Sequence, residues 1–312
     1  MHTGRVAESL GGQGGPADLR AGAVAHPPIR FTLQPYLFMA PALLLVLAVS
    51  FYPVLFAFRR SLYATRYMEL GRFIGLANYV QFLLRGSGWQ NITNSIAYTV
   101  ASLGAALPLG FVLALILNQS LPYRAAIRTV LILPWIVSQT IVALLWGWLL
   151  NPNYGPVSYL VGALTRHRID IYGTPDWAML GVVLANIWHS YAFPMVLLLA
   201  ALQTIPPEVV EAARVDGASP WLIFWRITLP LVRPTLLITA IMLTLHYFNM
   251  VTLVFTLTGG GPVGATETLS VRVFNEAFVF QNLGFASMVG VIIFLLNLVF
   301  SLGYIRVLRG EP

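Results

Sequence analysis

Apolar residues in this chain come in long continuous blocks separated by short polar stretches. Six blocks, about 36–58, 94–117, 129–150, 178–202, 232–256 and 284–305, are long enough to span the membrane. A helix of about twenty residues crosses a hydrocarbon core of about 30 Å. The blocks do not alternate over ten-residue segments, so the pattern predicts helices and not barrel strands. Each is uncharged through its middle, and only Arg233 touches an end. Pro41, Pro53, Pro108, Pro134 and Pro194 lie within or at the ends of blocks and predict kinks that neighbouring helices tolerate. No internal repeat is evident. The expected fold is all-α, a polytopic membrane protein with six transmembrane helices.

One polar island interrupts this pattern, at 206–230. Thr204 is placed to cap a helix opened by Pro206 and Pro207, with Glu208 in its first turn. Asp216 and Gly217 stop that helix, since glycine suits a left-handed exit. Ser219 and Pro220 restart a second helix as cap and first residue, expected to run to about Thr228 before Pro230 ends it. Ala212 and Ala213 keep the first helix slim, so a partner's backbone can approach closely. Glu208, Glu211, Ala212 and Val215 share a face by their spacing. An amphipathic pair lying on lipid headgroups is the competing reading. Only two arginines accompany three acidic residues in 206–228, which makes attraction to anionic lipid weak and favours a protein partner.

Composition places this pattern firmly in a bilayer. The chain of 312 residues is 58% hydrophobic and 9% charged, against about 25% charged in soluble domains. A net charge of +7 comes from arginines scattered between apolar blocks, with no basic cluster or aromatic ladder, so nucleic acid is not the expected partner. There is no lysine, which excludes the glycine-rich loop whose lysine reaches nucleotide phosphates. No cysteine is present, so disulfides, thiolate metal sites and cysteine nucleophiles are excluded. Residues 1–30, rich in Gly, Ala and Pro, are expected to form a disordered cytosolic tail rather than a signal peptide. With the N-terminus inside, ten arginines fall on inner segments and eight on outer ones, a weak bias.

Glu211-Ala212-Ala213, Asp216-Gly217-Ala218 and Ile227-Thr228-Leu229-Pro230 resemble the signature loop of permease subunits of binding-protein-dependent ATP-binding-cassette importers. Phe73-Ile74-Gly75-Leu76-Ala77-Asn78-Tyr79 looks like an outer-loop motif of the carbohydrate permeases. Leu131-Ile132-Leu133-Pro134, Thr258-Gly259-Gly260-Gly261-Pro262 and Thr266-Glu267-Thr268-Leu269 are similar to motifs of the maltose/lactose/glycerol-3-phosphate type. The resemblance runs from about residue 35 to the C-terminus.

The resemblance implies a type I importer permease: residues 31–312 as one six-helix domain with a cytosolic coupling-helix loop at 206–230. Both termini would be cytosolic, in the cytoplasmic (inner) membrane. Glu211, Ala212, Ala213, Asp216, Gly217, Ile227, Leu229 and Pro230 would couple to a cytosolic ATPase dimer, Glu211 as acidic anchor and Gly217 as the turn. ATP and magnesium would be bound by that partner and no cofactor by this chain, which would not be an enzyme. A second, homologous permease and an extracytoplasmic solute-binding protein complete the implied assembly, and the cargo would be a carbohydrate or related polyol carried by alternating access.

Polar groups within the apolar blocks mark candidate contacts with that cargo. They include Gln139, Thr140, Trp188, His189, Ser190, His246, Tyr247 and Asn249. Aromatic faces stack on sugar rings while amides and hydroxyls pair with sugar hydroxyls. The resemblance to the maltose-type permease implies substrate positions at Trp135, Gln139, Ser190, Tyr247 and Met250, with His189 and Met250 departing from that pattern. Asn275, Asn282 and Asn297 are expected to be structural, Asn297 by bonding across helices. The rival class is a proton-coupled carrier, which needs an intramembrane carboxylate relay, and none of the six blocks contains Asp or Glu. The five histidines show no close metal-ligand spacing.

Overall fold

A computed structural model describes residues 34–66, 69–84, 86–165 and 170–309; the tail expected over residues 1–30 lies outside them. Two compact units, Met1–Val49 and Ser50–Pro312, divide the chain. Described residues of the first belong to α1 (Gln34–Ser61), whose apolar side chains from Leu37 to Val49 are exposed, as suits a helix solvated by lipid.

The second unit is a helical bundle with one small antiparallel hairpin. The hairpin pairs β1 (Tyr63–Arg66) with β2 (Glu69–Phe73), which the hydropathy pattern does not predict. After the short α2 (Ala77–Leu84), α3 (Gly86–Leu117) begins eight residues earlier than the apolar block suggests, in a polar extension that buries Asn91. The third expected span is broken: α4 (Arg124–Ile136) and α5 (Gln139–Leu149) meet at a 93° bend. Then come α6 (Pro156–Thr165), and α7 (Pro175–Ser190) running into α8 (Ala192–Gln203) as the fourth span. Within the polar island lie α9 (Pro207–Val215) and α10 (Pro220–Ile223). The fifth span is α11 (Leu229–Phe248), followed after a break at 249–251 by α12 (Thr252–Thr258), so it ends sooner than the expected 256. Finally α13 (Leu269–Phe274) leads to α14 (Leu283–Arg309), the last span.

Several local expectations are revised. Thr204 does not cap α9; it closes α8, its hydroxyl donating to the Ala201 carbonyl at 2.8 Å, and Pro206 takes the cap position. Pro230 does not end the second helix either. A π-helical turn over 224–228 widens the backbone so that Leu229 N–H bonds Phe224 O, and α10 continues through it into α11. Proline normally clashes with the carbonyl four residues back, and the wider turn admits it. Asn297 does not bond across helices: its buried Oδ1 has no partner.

Three apolar clusters hold the bundle together. One surrounds Tyr98, Val142, Val182, Leu243 and Tyr247; a second joins Phe111, Leu117, Met195, Leu198 and Val232; a third joins Phe82, Leu269, Phe285 and Met288. The segment between α12 and α14 is knit to the start of α3 by polar bonds. The Glu267 carboxylate accepts from Asn91 (3.0 Å), Asn275 (3.2 Å) and Arg272 (3.4 Å), and Arg272 also pairs Glu276 at 2.7 Å. Asn282 Oδ1 accepts from the Thr65 hydroxyl and from Phe285 N–H at the start of α14. Asn275 and Asn282 are thus structural, as expected.

α3 packs most closely on α8 at Gly110. A Cβ there would lie 2.7 Å from the Tyr191 carbonyl oxygen and 2.7 Å from Pro194 Cγ. Gly110→Ala forces these helices apart and costs about 1–3 kcal/mol, the usual range for overpacking. Gly104→Ala on the same helix meets no atom within 4 Å and is expected to be neutral or stabilising by up to about 1 kcal/mol. Thermal melting of the purified protein in detergent distinguishes the two.

Candidate functional site

The break in the third span creates the site. Val137 (φ −68°, ψ 138°) and Ser138 (φ −58°, ψ 137°) are extended, so the last carbonyls of α4 lose their helical partners. At membrane depth an orphaned carbonyl is costly. His189 of α7 supplies the missing donor to one of them, its Nδ1 lying 2.8 Å from Pro134 O. A carbonyl only accepts, so Nδ1 carries the hydrogen, and in the neutral ring Nε2 keeps its lone pair.

Around this break lies a cavity of about 540 Å³, within the size range of small-molecule sites. The bent third span contributes Trp135, Val137, Ser138 and Gln139; α7 and α8 contribute His189, Ser190 and Phe193; α11 contributes Met242, Leu243 and His246. Trp135 and Phe193 stand with ring centroids 5.8 Å apart and form an aromatic wall. Gln139 and His246 have no hydrogen-bond partner among the described residues, so both are available to a ligand.

Ser190 anchors the buried side of the cavity. Its hydroxyl donates to Asn186 O at 2.7 Å and lies 2.7 Å from the Tyr247 hydroxyl. A hydroxyl has one hydrogen, so Tyr247 must be the donor to Ser190. Behind them the fully buried Asn186 amide lies beside the Tyr247 hydroxyl, and the Tyr98 hydroxyl is unpartnered. Tyr98 meets Tyr247 edge-on at 6.2 Å.

Of the expected substrate residues, the structure gathers Trp135, Gln139, His189 and Ser190 at one cavity. Tyr247 is one bond behind it, through Ser190. Asn249 and Met250 do not line it: Asn249 closes α11 and its amide donates to Leu245 O at 2.7 Å, while Met250 is buried in the core. Both fall in the break after α11, which a continuous fifth span would not contain. Trp188 faces away from the cavity wall, against Trp146 at 6.3 Å. Ser138, Phe193 and Met242 were not singled out in the sequence. Met242 stands one helical turn before His246 and Phe193 one turn after His189, a spacing that could have indicated both.

The polar island forms a second candidate site. No residue of α9 is buried, and Val215 is 88% exposed. Its end is closed by two bonds, Gly217 N–H to Arg214 O (3.0 Å) and Ala218 N–H to Ala213 O (2.9 Å), with Gly217 at φ +80°. The Ser219 hydroxyl then caps α10 by accepting from Leu222 N–H at 3.3 Å. Glu211 and Arg214 open onto a groove of about 770 Å³ shared with Asn118, Gln119 and Gln203 at the ends of α3 and α8. Glu211 therefore stands at the groove edge, while Val215 points to solvent. Ile227, Leu229 and Pro230 lie in the π turn and the start of α11.

The family described as "Binding-protein-dependent transport system inner membrane component" matches residues 106–309. The chain is 34% identical over 275 residues to the trehalose/maltose transport system permease protein MalF of Thermococcus litoralis, covering 88% of this chain and 93% of that protein. It is 30% identical to the sulfoquinovosyl glycerol transport system permease protein SmoG of Agrobacterium fabrum, covering 88% and 90%. Its fold matches a chain of a bacterial alginate ABC transporter solved with an alginate pentasaccharide-bound periplasmic protein, with TM-score 0.73, 24% identity, and coverage of 87% and 92%. The apolar helices, the projecting loop and these matches lead to one conclusion: the chain belongs to the family of inner membrane components of binding-protein-dependent transport systems.

Proposed function

We propose that this permease carries a carbohydrate or related polyol inward by alternating access, driven by a separate cytosolic ATPase dimer. The observation that carries this reading is mechanical. Residues Pro220–Phe248 form one continuous helix from the exposed loop to the cavity wall. At 1.5 Å per residue it is about 40 Å long. Movement of α9 and α10 is delivered by this rod to Met242, Leu243 and His246.

In this reading α9 docks on the ATPase, which binds ATP and magnesium. Val215 and Ala212 offer a close apolar contact, and the groove beside Glu211 accepts a basic side chain. The loop is then cytosolic, and both termini with it, in the cytoplasmic membrane. Closure of the ATPase dimer favours one bundle arrangement and its opening the other. A second, homologous permease faces this one, and a solute-binding protein delivers the cargo from outside. The cargo follows from the cavity and from the relatives: an aromatic wall beside uncharged polar groups suits a sugar ring and its hydroxyls.

Two predictions test the reading. Gly217→Val places a β-branched residue at φ +80°, where the left-handed conformation costs about 1–2 kcal/mol. It is expected to reduce substrate-stimulated ATPase in proteoliposomes at least about tenfold, as is Glu211→Ala, a loss of about 1.4 kcal/mol in coupling. Unchanged stimulation in both variants would sink the docking role. Separately, His189→Phe leaves Pro134 O unpartnered and is expected to lower the stability of the purified complex by about 1–3 kcal/mol. A melting temperature equal to that of the unaltered protein would remove His189 from its place at the break.

A further inference from the structure

We infer that the cavity of this subunit selects neutral, hydroxyl-donating cargo and disfavours sugar phosphates, sulfonates and uronates. The inference rests on the transport reading above and narrows its substrate class.

Charge is the first ground. None of the residues lining the cavity is Arg, Asp or Glu, and the protein has no lysine. Proteins that bind phosphate or carboxylate groups in apolar surroundings do so with arginine forks, lysine or converging N–H donors, because an unpaired anion there is heavily penalised. This wall offers neither arginine nor lysine to hold one.

Hydrogen-bond direction is the second ground, and it follows from counting hydrogens. Ser190 spends its only hydrogen on Asn186 O and receives the Tyr247 hydrogen, so its remaining capacity is one lone pair. His189 spends its Nδ1 hydrogen on Pro134 O, leaving a lone pair at Nε2 of the neutral ring. The two most buried polar groups of the wall, each no more than 5% exposed, therefore both offer acceptors. A sugar hydroxyl donates to such a pair. A phosphate or carboxylate oxygen presents another acceptor and is repelled there, with only the Gln139 amide and the His246 ring left to donate to it. Gln139, which can donate or accept, is compatible with the second half of a hydroxyl's bonding.

The Ser190 arrangement is also locked from behind. Tyr247 is 2% exposed and held between Ser190 and the Tyr98 ring, so its hydroxyl has no route to the cavity that would restore a donor there. Acceptor polarity is built into the bundle and does not depend on a surface rotamer.

The test uses the permease–ATPase complex in lipid nanodiscs without the binding protein, so that selectivity upstream does not intrude. Equilibrium binding of radiolabelled maltose, trehalose and sorbitol is compared with that of glucuronate and glucose 6-phosphate. The expected result is a neutral ligand bound at least about tenfold more tightly than either anion. Ser190→Ala is expected to weaken neutral binding about tenfold, and Gln139→Arg to narrow or reverse the preference by supplying the missing cation. Equal or tighter binding of an anion by the unaltered complex overturns the inference. So does binding of neither class by a complex whose complete importer takes up a neutral sugar, since the selective contacts then lie elsewhere. ATP-driven uptake of no sugar or polyol by the complete importer overturns the transport reading itself, a result distinct from uptake with the wrong charge preference.

Discussion

A single carbonyl, that of Pro134, sets the terms for the rest of this structure. Within a bilayer every backbone polar group must find a partner in the protein, because lipid offers none. The third span ends its first helix at Ile136 and turns through 93°, so carbonyls that would accept from the next turn are released. The His189 ring N–H takes the Pro134 carbonyl from across the bundle. That bond lets an irregular backbone exist beside a cavity, and it orients the imidazole with its other nitrogen unspent. The same economy governs Ser190, whose two partners leave it a single lone pair. Position and polarity of the cavity wall are thus consequences of satisfying the backbone, and recognition uses what remains.

The exposed loop is built on the opposite principle. α9 buries none of its residues, yet its turn is closed by paired backbone bonds at Gly217 and its successor is capped by Ser219. A loop so constrained internally is suited to the coupling role proposed for it, since it can move as a body. The π turn at 224–228 matters here. A helix ended by Pro230 would place a joint between loop and membrane, whereas the wider turn absorbs the proline and keeps the rod continuous. Its far end reaches Leu243 and His246 at the cavity. By contrast, the segment between α12 and α14 is fixed to α3 by bonds from Asn91 to Glu267, from Asn94 to the Gly264 carbonyl and from Leu269 N–H to Ser95, so it behaves as part of the frame.

Hydropathy made the bundle legible because spans are set by length and apolarity, which are read directly from residues. Helix stops with a chemical cause were legible too: Gly217 and Ser219 act as their residue types require. Breaks inside apolar runs were not. Residues 129–150 read as one span in which Pro134 predicts only a kink; no glycine or charge marks the full break at Val137–Ser138, and the partner that permits it is 55 residues away in sequence. The end of α11 at Phe248 was hidden for the same reason, and Asn249 and Met250 were placed on a continuous helix that does not exist. Pro230 misled in the other direction, since its cost vanishes in a π turn that only packing specifies. Candidate cavity residues on regular helix beside the break, His189 and Ser190, were found because buried polar groups are rare enough in a membrane span to stand out.

Loop and cavity therefore answer to different constraints. In the proposed coupling the loop presents a defined shape to a protein, and the helix cap, left-handed turn and slim side chains it has are compatible with any cargo. The cavity must hold something chemically specific while sitting among lipid-solvated helices, where a charge without a partner is expensive. A wall that recognises an anion would have to carry a cation, and that cation would need a partner in every conformation in which the anion is absent. Hydroxyl recognition avoids the problem. Acceptors already partly engaged by the bundle, as in Ser190 and His189, remain satisfied when the cavity is empty. A neutral cargo, as proposed, would let the empty and loaded states differ little in electrostatic cost, so that in the proposed alternating access the loop sets the difference between inward and outward arrangements.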